Sequence, residues 1–179
     1  QPDIVVYGKA IGNGFAISAV VGKKEVMDVA QESFISSTFW TERVGFTAAL
    51  ATIDILTKEQ TWNQLIEVGT YIGQKWLELA EKHGLRLTVT DFKPLITLKF
   101  GYGQQNPALS TLFIQEMIKH GYLAATSIYL SSCHTIAIVD EYMHHVDQVF
   151  ALIAKAVESK NINKYLEVSI KDEGFKRLT

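Results

Sequence analysis

The stretch that most constrains this chain is its first 22 residues. An apolar, largely β-branched run, Ile4-Val5-Val6-Tyr7, ends at Gly8-Lys9. The turn Gly12-Asn13-Gly14 follows at once, and a second apolar run spans Ile17 to Val21. Runs of this kind bounded by glycine read as short buried strands. Gly12 and Gly14 mark a turn that needs positive φ or a close backbone approach. A lysine placed at a strand end, against a glycine turn, invites three chemical readings. A nucleotide phosphate loop fails, because Ala10 follows the lysine and Ile4 stands where the loop's first glycine belongs. A dinucleotide fingerprint fails, because Ile17 replaces the third glycine. A Schiff-base lysine remains open. Its ε-amine condenses with an aldehyde only when neutral, so its pKa must fall below the usual ~10.4. Burial at a strand end beside another cation does that. The spacing equally allows a plain strand-end lysine whose stem packs and whose ammonium reaches water.

Composition narrows the function classes. Of 179 residues, 47% are hydrophobic and 20% charged, enough for a packed core and no basis for disorder. A formal net charge of -2 gives no electrostatic footprint for nucleic acid or an anionic membrane. No apolar run approaches the roughly 18 residues of a membrane span. The lone Cys133 forbids an internal disulfide and fits a reducing compartment, so a cytoplasmic location is expected. The chain opens without Met just ahead of a strand-like run, which suggests a fragment of a longer protein.

Along the rest of the chain, Lys23 to Asp28 predicts a short helix and residues 33–39 a hydroxyl-rich loop. Thr41 is the candidate N-cap of an alanine-rich helix whose small residues suggest a closely packed backbone. Glu59 to His83 predicts a second helix, with Trp62 and Trp76 as core positions and Gly84 as its stop. Strands are predicted over Leu85–Thr90, Leu95–Phe100, Tyr122–Ala125, Ile128–Ser131 and Thr135–Ile138. Helices are predicted over Ala108–His120 and Asp140–Val157, and a polar tail from Glu158. A boundary falls between residues 57 and 84, giving expected domains 1–57 and 58–179.

Other candidates are weak. His144 and His145 are adjacent, so on a helix they point about 100° apart and make a poor metal pair. His134 reads as a hydrogen-bonded core or interface residue and Cys133 as a small packed hydrophobe. No metal site is proposed. Arg43 could bind a carboxylate or phosphate bidentately, or pair with Glu42 at a helix start.

The whole opening, PDIVVYGKAIGNGFAISAVVGKKEVM, resembles the lysine segment of the class III aminotransferases, pyridoxal-phosphate enzymes of fold type I. Pro2, Asp3, Ile4, Gly8, Lys9, Gly12, Gly14, Ala19, Gly22 and Met27 match that pattern in register. Asn13 stands for its middle glycine and Ala16 for its usual proline. Ser37-Thr38-Phe39 resembles the family's Gly-Thr-Phe segment. Gly121-Tyr122-Leu123-Ala124 and Ser131-Ser132-Cys133-His134-Thr135 resemble the small C-terminal domain, especially of glutamate-1-semialdehyde aminomutases. Gly174 to Thr179 resembles the end of some members. Trp40-Thr41-Glu42-Arg43 departs from the usual Ser-Gly-Asn-Pro.

The resemblance implies an α/β fold: the end of a large, mainly parallel-sheet domain followed by a small α+β C-terminal domain. It implies pyridoxal 5′-phosphate as cofactor, with Lys9 as the Schiff-base lysine and catalytic group. Thr38, with Ser37, would bind the phosphate of a neighbouring subunit's cofactor, making a homodimer with shared sites. Arg43, Gly12 and Gly14 are the candidate contacts to substrate. The implied reaction moves an amino group between an amine donor and a keto or aldehyde acceptor. An intramolecular aminomutase and a non-catalytic dimerisation module are the alternatives. In relatives the phosphate cradle, the ring-stacking aromatic and the carboxylate facing the pyridine nitrogen precede the lysine, so this piece alone is expected to be inactive.

Overall fold

A computed structural model describes residues 2–36, 38 and 41–171, in two compact units, Gln1–Thr61 and Trp62–Thr179. Ser37, Phe39, Trp40 and the segment from Gly174 lie outside the described residues.

In the first unit, β1 (Ile4–Tyr7) and β2 (Ala19–Gly22) form an antiparallel hairpin in which Val5 faces Val21 and Tyr7 faces Ala19. Its base is closed by the Lys23 amide donating to the Asp3 carbonyl at 3.0 Å and by a Lys23–Asp3 ion pair of 2.6 Å. Short helix α1 (Lys24–Met27) follows, and then α2 (Val44–Glu59). The prediction of buried strands is corrected here. Every residue of both strands is exposed or half-exposed, Val6 at 68%. Two strands form a sheet too small to cover its own faces, and Met27 of α1 packs against its Gly22 end.

The second unit carries the core. Helix α3 (Thr61–Lys82) presents Val68, Ile72, Trp76 and Ala80 on one stripe at i, i+4 spacing, all buried. Its partner is an antiparallel sheet of order β3-β4-β5: β3 (Leu87–Val89), β4 (Leu95–Phe100) and β5 (Ser127–Tyr129). Alternation along β4 turns Ile96, Leu98 and Phe100 inward. Helices α4 (Asn106–Lys119) and α5 (Ile136–Glu158) complete the layers. Phe100, Phe113 and Phe150 meet at their centre with ring centroids 6.1 to 6.5 Å apart.

Several expectations for this unit are revised. Thr135–Ile138, β-branched and apolar, is the start of α5 and not a strand: Thr135 Oγ1 accepts the Ile138 amide and caps the helix. Tyr122–Ala125 forms no strand. Trp62 is 44% exposed while Trp76 is fully buried, because only Trp76 lies on the Val68-Ile72 stripe. The tail docks instead of meandering. Ile162 is buried, and the buried Gln115 amide donates to the Tyr165 carbonyl and accepts from the Glu167 amide. Further on, the Lys171 amide donates to Thr111 Oγ1.

Candidate functional site

The candidate site is assembled in the first unit. Lys9 opens a single 3₁₀ turn, Lys9–Ile11, directly after β1, with its side chain exposed. Its φ is +53°, a left-handed conformation that a non-glycine residue adopts at a cost of order 1 kcal/mol. The Gly12 amide returns to the Lys9 carbonyl at 3.2 Å, and the Phe15 amide donates to the Gly12 carbonyl at 3.0 Å. Asn13 (φ +43°) and Gly14 (φ +103°) are also at positive φ, while Gly12 between them and Lys9 is right-handed at φ -89°. The place where the family pattern has a glycine is thus filled by a residue type that tolerates this region well.

Gly12 is required by packing. It is buried, and a Cβ there would overlap the Phe15 carbonyl oxygen and lie 2.8 Å from Ile17 Cγ2. Gly8 differs: its φ of -158° is ordinary extended backbone, and a Cβ there would meet nothing within 4 Å. Among the described residues, nothing demands glycine beside the lysine.

Helix α2 lies against this turn. Buried Gly45 faces it so closely that a Cβ would be 3.1 Å from both the Ala16 carbonyl oxygen and Ile17 Cβ. This is the close approach that the small residues of α2 suggest. Its first turn is held by Glu42 and not by Thr41: Oε1 accepts the Val44 amide at 2.7 Å and Oε2 the Gly45 amide at 3.1 Å. The Gly45 and Val44 amides hold the Glu42 carboxyl below the usual carboxylate range. Glu42 therefore does not serve Arg43, which is exposed and makes no ion pair among the described residues. Only a general preference for acids near helix N-termini hints at this cap in the sequence. Thr38 is exposed in a turn. No bond links Thr38 or Arg43 to Lys9 among the described residues, whereas Gly12 and Gly14 lie in its turn.

The second unit has features of its own. A cavity of about 450 Å³ is lined by Ile72, Tyr122, Ile128, His134, Val139 and Tyr142, among others, and holds none of the sequence-predicted site residues. His134 is half-buried and its Nδ1 accepts the Ser131 amide at 3.0 Å. Cys133 is exposed, against the expectation of a packed hydrophobe, because it sits in the loop ahead of α5. His145 stacks on His120 with centroids 4.6 Å apart. No group of three or more metal-binding side chains converges among the described residues, and none of the described helices is long and apolar enough to cross a membrane.

Comparison with known proteins bears on these features. A 3-aminobutyryl-CoA aminotransferase of Cloacimonas acidaminovorans is 34% identical over 122 residues, covering 66% of this chain and 30% of that protein. A 2'-deamino-2'-hydroxyneamine transaminase of Streptomyces kanamyceticus is 31% identical over 126 residues, covering 70% and 32%. The chain thus spans about a third of the length of these curated relatives. Among solved structures, the PLP internal aldimine form of the Sphingopyxis sp. MTA144 FumI protein superposes with a TM-score of 0.81 at 25% identity, over 89% of this chain and 39% of that one. An omega-transaminase from Sphaerobacter thermophilus shares the fold, with a TM-score of 0.78 at 21% identity over 87% and 39%. The architecture is accordingly the α/β fold of part of a fold type I transaminase, although all three strand pairings in view are antiparallel. Residues 1–93, which include the lysine turn, α2 and α3, match the family described as Aminotransferase class-III, and the chain belongs to that family.

Proposed function

We propose that this chain supplies the lysine-bearing part of a pyridoxal-phosphate-dependent aminotransferase acting on a small amine donor and a keto or aldehyde acceptor. The observation that carries the reading is Lys9 itself. A lysine held at φ +53° and exposed stands beside a glycine with open space where its side chain would be. Strained backbone concentrates at functional positions, and the space at Gly8 is what a group attached to Lys9 would use. The residues present therefore fit pyridoxal 5′-phosphate at its point of attachment. The relative solved in its PLP internal aldimine form supports the cofactor's identity.

When bound, the cofactor supplies an electron sink for the carbanionic charge at the substrate's α-carbon. The chain's own residues do the rest. Lys9 Nζ would anchor the cofactor and, once released by the substrate amine, would move a proton from the substrate's α-carbon to the cofactor's C4′ carbon. The turn from Lys9 to Gly14, with Lys9 itself at positive φ, sets where that nitrogen stands. Thr38, with Ser37, would donate hydroxyls to the phosphate held in the second subunit of a homodimer, and Arg43, which makes no ion pair among the described residues, would meet an anionic group of the substrate. The compartment we assign is the cytoplasm.

The test is made on the full-length protein. Lys9→Ala should abolish transfer by orders of magnitude, and borohydride reduction of the cofactor-loaded protein should place the label on the Lys9 peptide. Unchanged turnover in Lys9→Ala, or label on another lysine, overturns the assignment. Transfer between two molecules is preferred because the named relatives are an aminotransferase and a transaminase. Turnover of a single substrate with no second one would favour the aminomutase. Biology that survives Lys9→Ala would favour a non-catalytic dimerisation module.

A further inference from the structure

Five residues of the first unit form a continuous mechanical path that ends at Lys9. Both carboxylate oxygens of Glu42 are used on the Val44 and Gly45 amides, fixing the first turn of α2. Gly45 presses on Ile17, whose Cβ and Cδ1 lie 3.1 and 3.6 Å from the position a Gly45 Cβ would take. On its other side the same Ile17 reaches Gly12, with Cγ2 2.8 Å from the corresponding position. Ile17 is thus a wedge between two buried glycines, one on the helix and one on the turn. The Gly12 amide in turn donates to the Lys9 carbonyl. Interiors transmit displacement because they are close-packed, and at these two glycines no side chain is present to absorb it.

We propose that Glu42 is a positioning residue for Lys9: by pinning α2 it holds Ile17 against Gly12 and so keeps the lysine in its left-handed conformation. A left-handed lysine relaxes unless its surroundings over-determine it, and Glu42 is the outermost constraint of that set. The amide-bound carboxylate stays ionised to below the ordinary carboxylate range, so the constraint is present throughout neutral pH. The kinetic part of the test rests on Lys9 being the cofactor lysine; the structural part does not.

The test uses the full-length protein and amide hydrogen exchange resolved by residue. Glu42→Ala should speed exchange about fivefold or more at Val44 and Gly45 and also at Gly12 and Phe15, as loss of a helix cap opens the segment it holds. Val146 and Ile153 in α5 should be unchanged, which shows an intact fold. Glu42→Asp, a strong cap residue, should restore protection at Gly12. Glu42→Gln, which keeps one acceptor, should fall between and serves if Glu42→Ala does not fold. Ile17→Ala should speed exchange at Gly12 but spare Val44, and in combination with Glu42→Ala should add nothing further at Gly12. Faster exchange confined to α2 in Glu42→Ala overturns the proposal, as does additivity of the two substitutions. Kinetically, Glu42→Ala should lower kcat with the amine KM little changed, and Glu42→Asp should recover it. If exchange at Gly12 responds and kcat does not, positioning is supported and the catalytic assignment of Lys9 is what fails.

Discussion

At the scale of single residues, the second unit contains a buried hydroxyl with no hydrogen-bond partner among the described residues. Tyr142 is packed in the core, and its hydroxyl and the Trp76 indole nitrogen are both sealed from solvent without a hydrogen bond. Burial pushes the Tyr142 phenol far above its usual range; the adjacent indole offsets this a little without reaching bonding geometry. An unsatisfied buried hydroxyl costs about 1–3 kcal/mol. Tyr142→Phe should accordingly leave the fold unharmed or raise its stability by about 1 kcal/mol, measured as a higher denaturant midpoint at unchanged m-value. Lys9, its glycine turn and the Trp76 stripe were legible in the sequence, because strand runs, glycine spacing and helical period act locally. Glu42's role was not. Its bonds run to amides two and three residues ahead, and the decision between Thr41, Arg43 and those amides is made by where α2 begins.

At the scale of elements, an ionic clasp joins α3 to α5 in addition to the hydrogen bond from the Tyr71 hydroxyl to Asp140. Lys82 Nζ lies 2.7 and 2.8 Å from the two oxygens of Asp147, and His83 Nε2 lies 2.6 Å from one of them. Hydrogen bonds from Lys82 and then His83 hold the Asp147 carboxyl below its ordinary range. A lowered folded-state pKa gives stability that is fully present above the unfolded carboxylate value of ~3.9. It is lost as pH falls through the lowered value. Asp147→Asn should therefore cost about 1 kcal/mol or less at neutral pH, because the group is partly exposed, and the cost should disappear in strong acid. A difference between the two proteins that persists in strong acid would show the clasp to be packing and not charge. Element boundaries were readable to a few residues for α3 and α4, where apolar period and flanking glycines agree. The start of α5 was misread, since Thr135 to Ile138 carries a strand-like composition and only the Thr135 cap decides the matter.

At the scale of the whole molecule, the two units differ in how apolar material is used. Among the described residues of the first unit, Ala49 is the only buried hydrophobic side chain, while Val6, Phe34, Phe46 and Leu50 are exposed at 68%, 96%, 56% and 70%. The second unit gathers nearly all large buried side chains around Phe100, Phe113 and Phe150. Phe150→Ala should cost about 3–5 kcal/mol, read by thermal or denaturant unfolding of that unit. This contrast was hard to see in the sequence, where Ile4–Tyr7 and Leu95–Phe100 look equally apolar; burial depends on how many layers surround a strand, a property no single segment carries. The docked tail has a practical consequence for anyone choosing where to end a recombinant version. Cutting after Glu158 would uncover Gln115, Thr111 and the apolar floor beneath Ile162, leaving the Gln115 oxygen without the Glu167 amide and its nitrogen with only the Glu116 carboxylate. Residues 159–171 are a closing seam of the second unit, and a version lacking them should precipitate or melt early, however dispensable their polar composition makes them look.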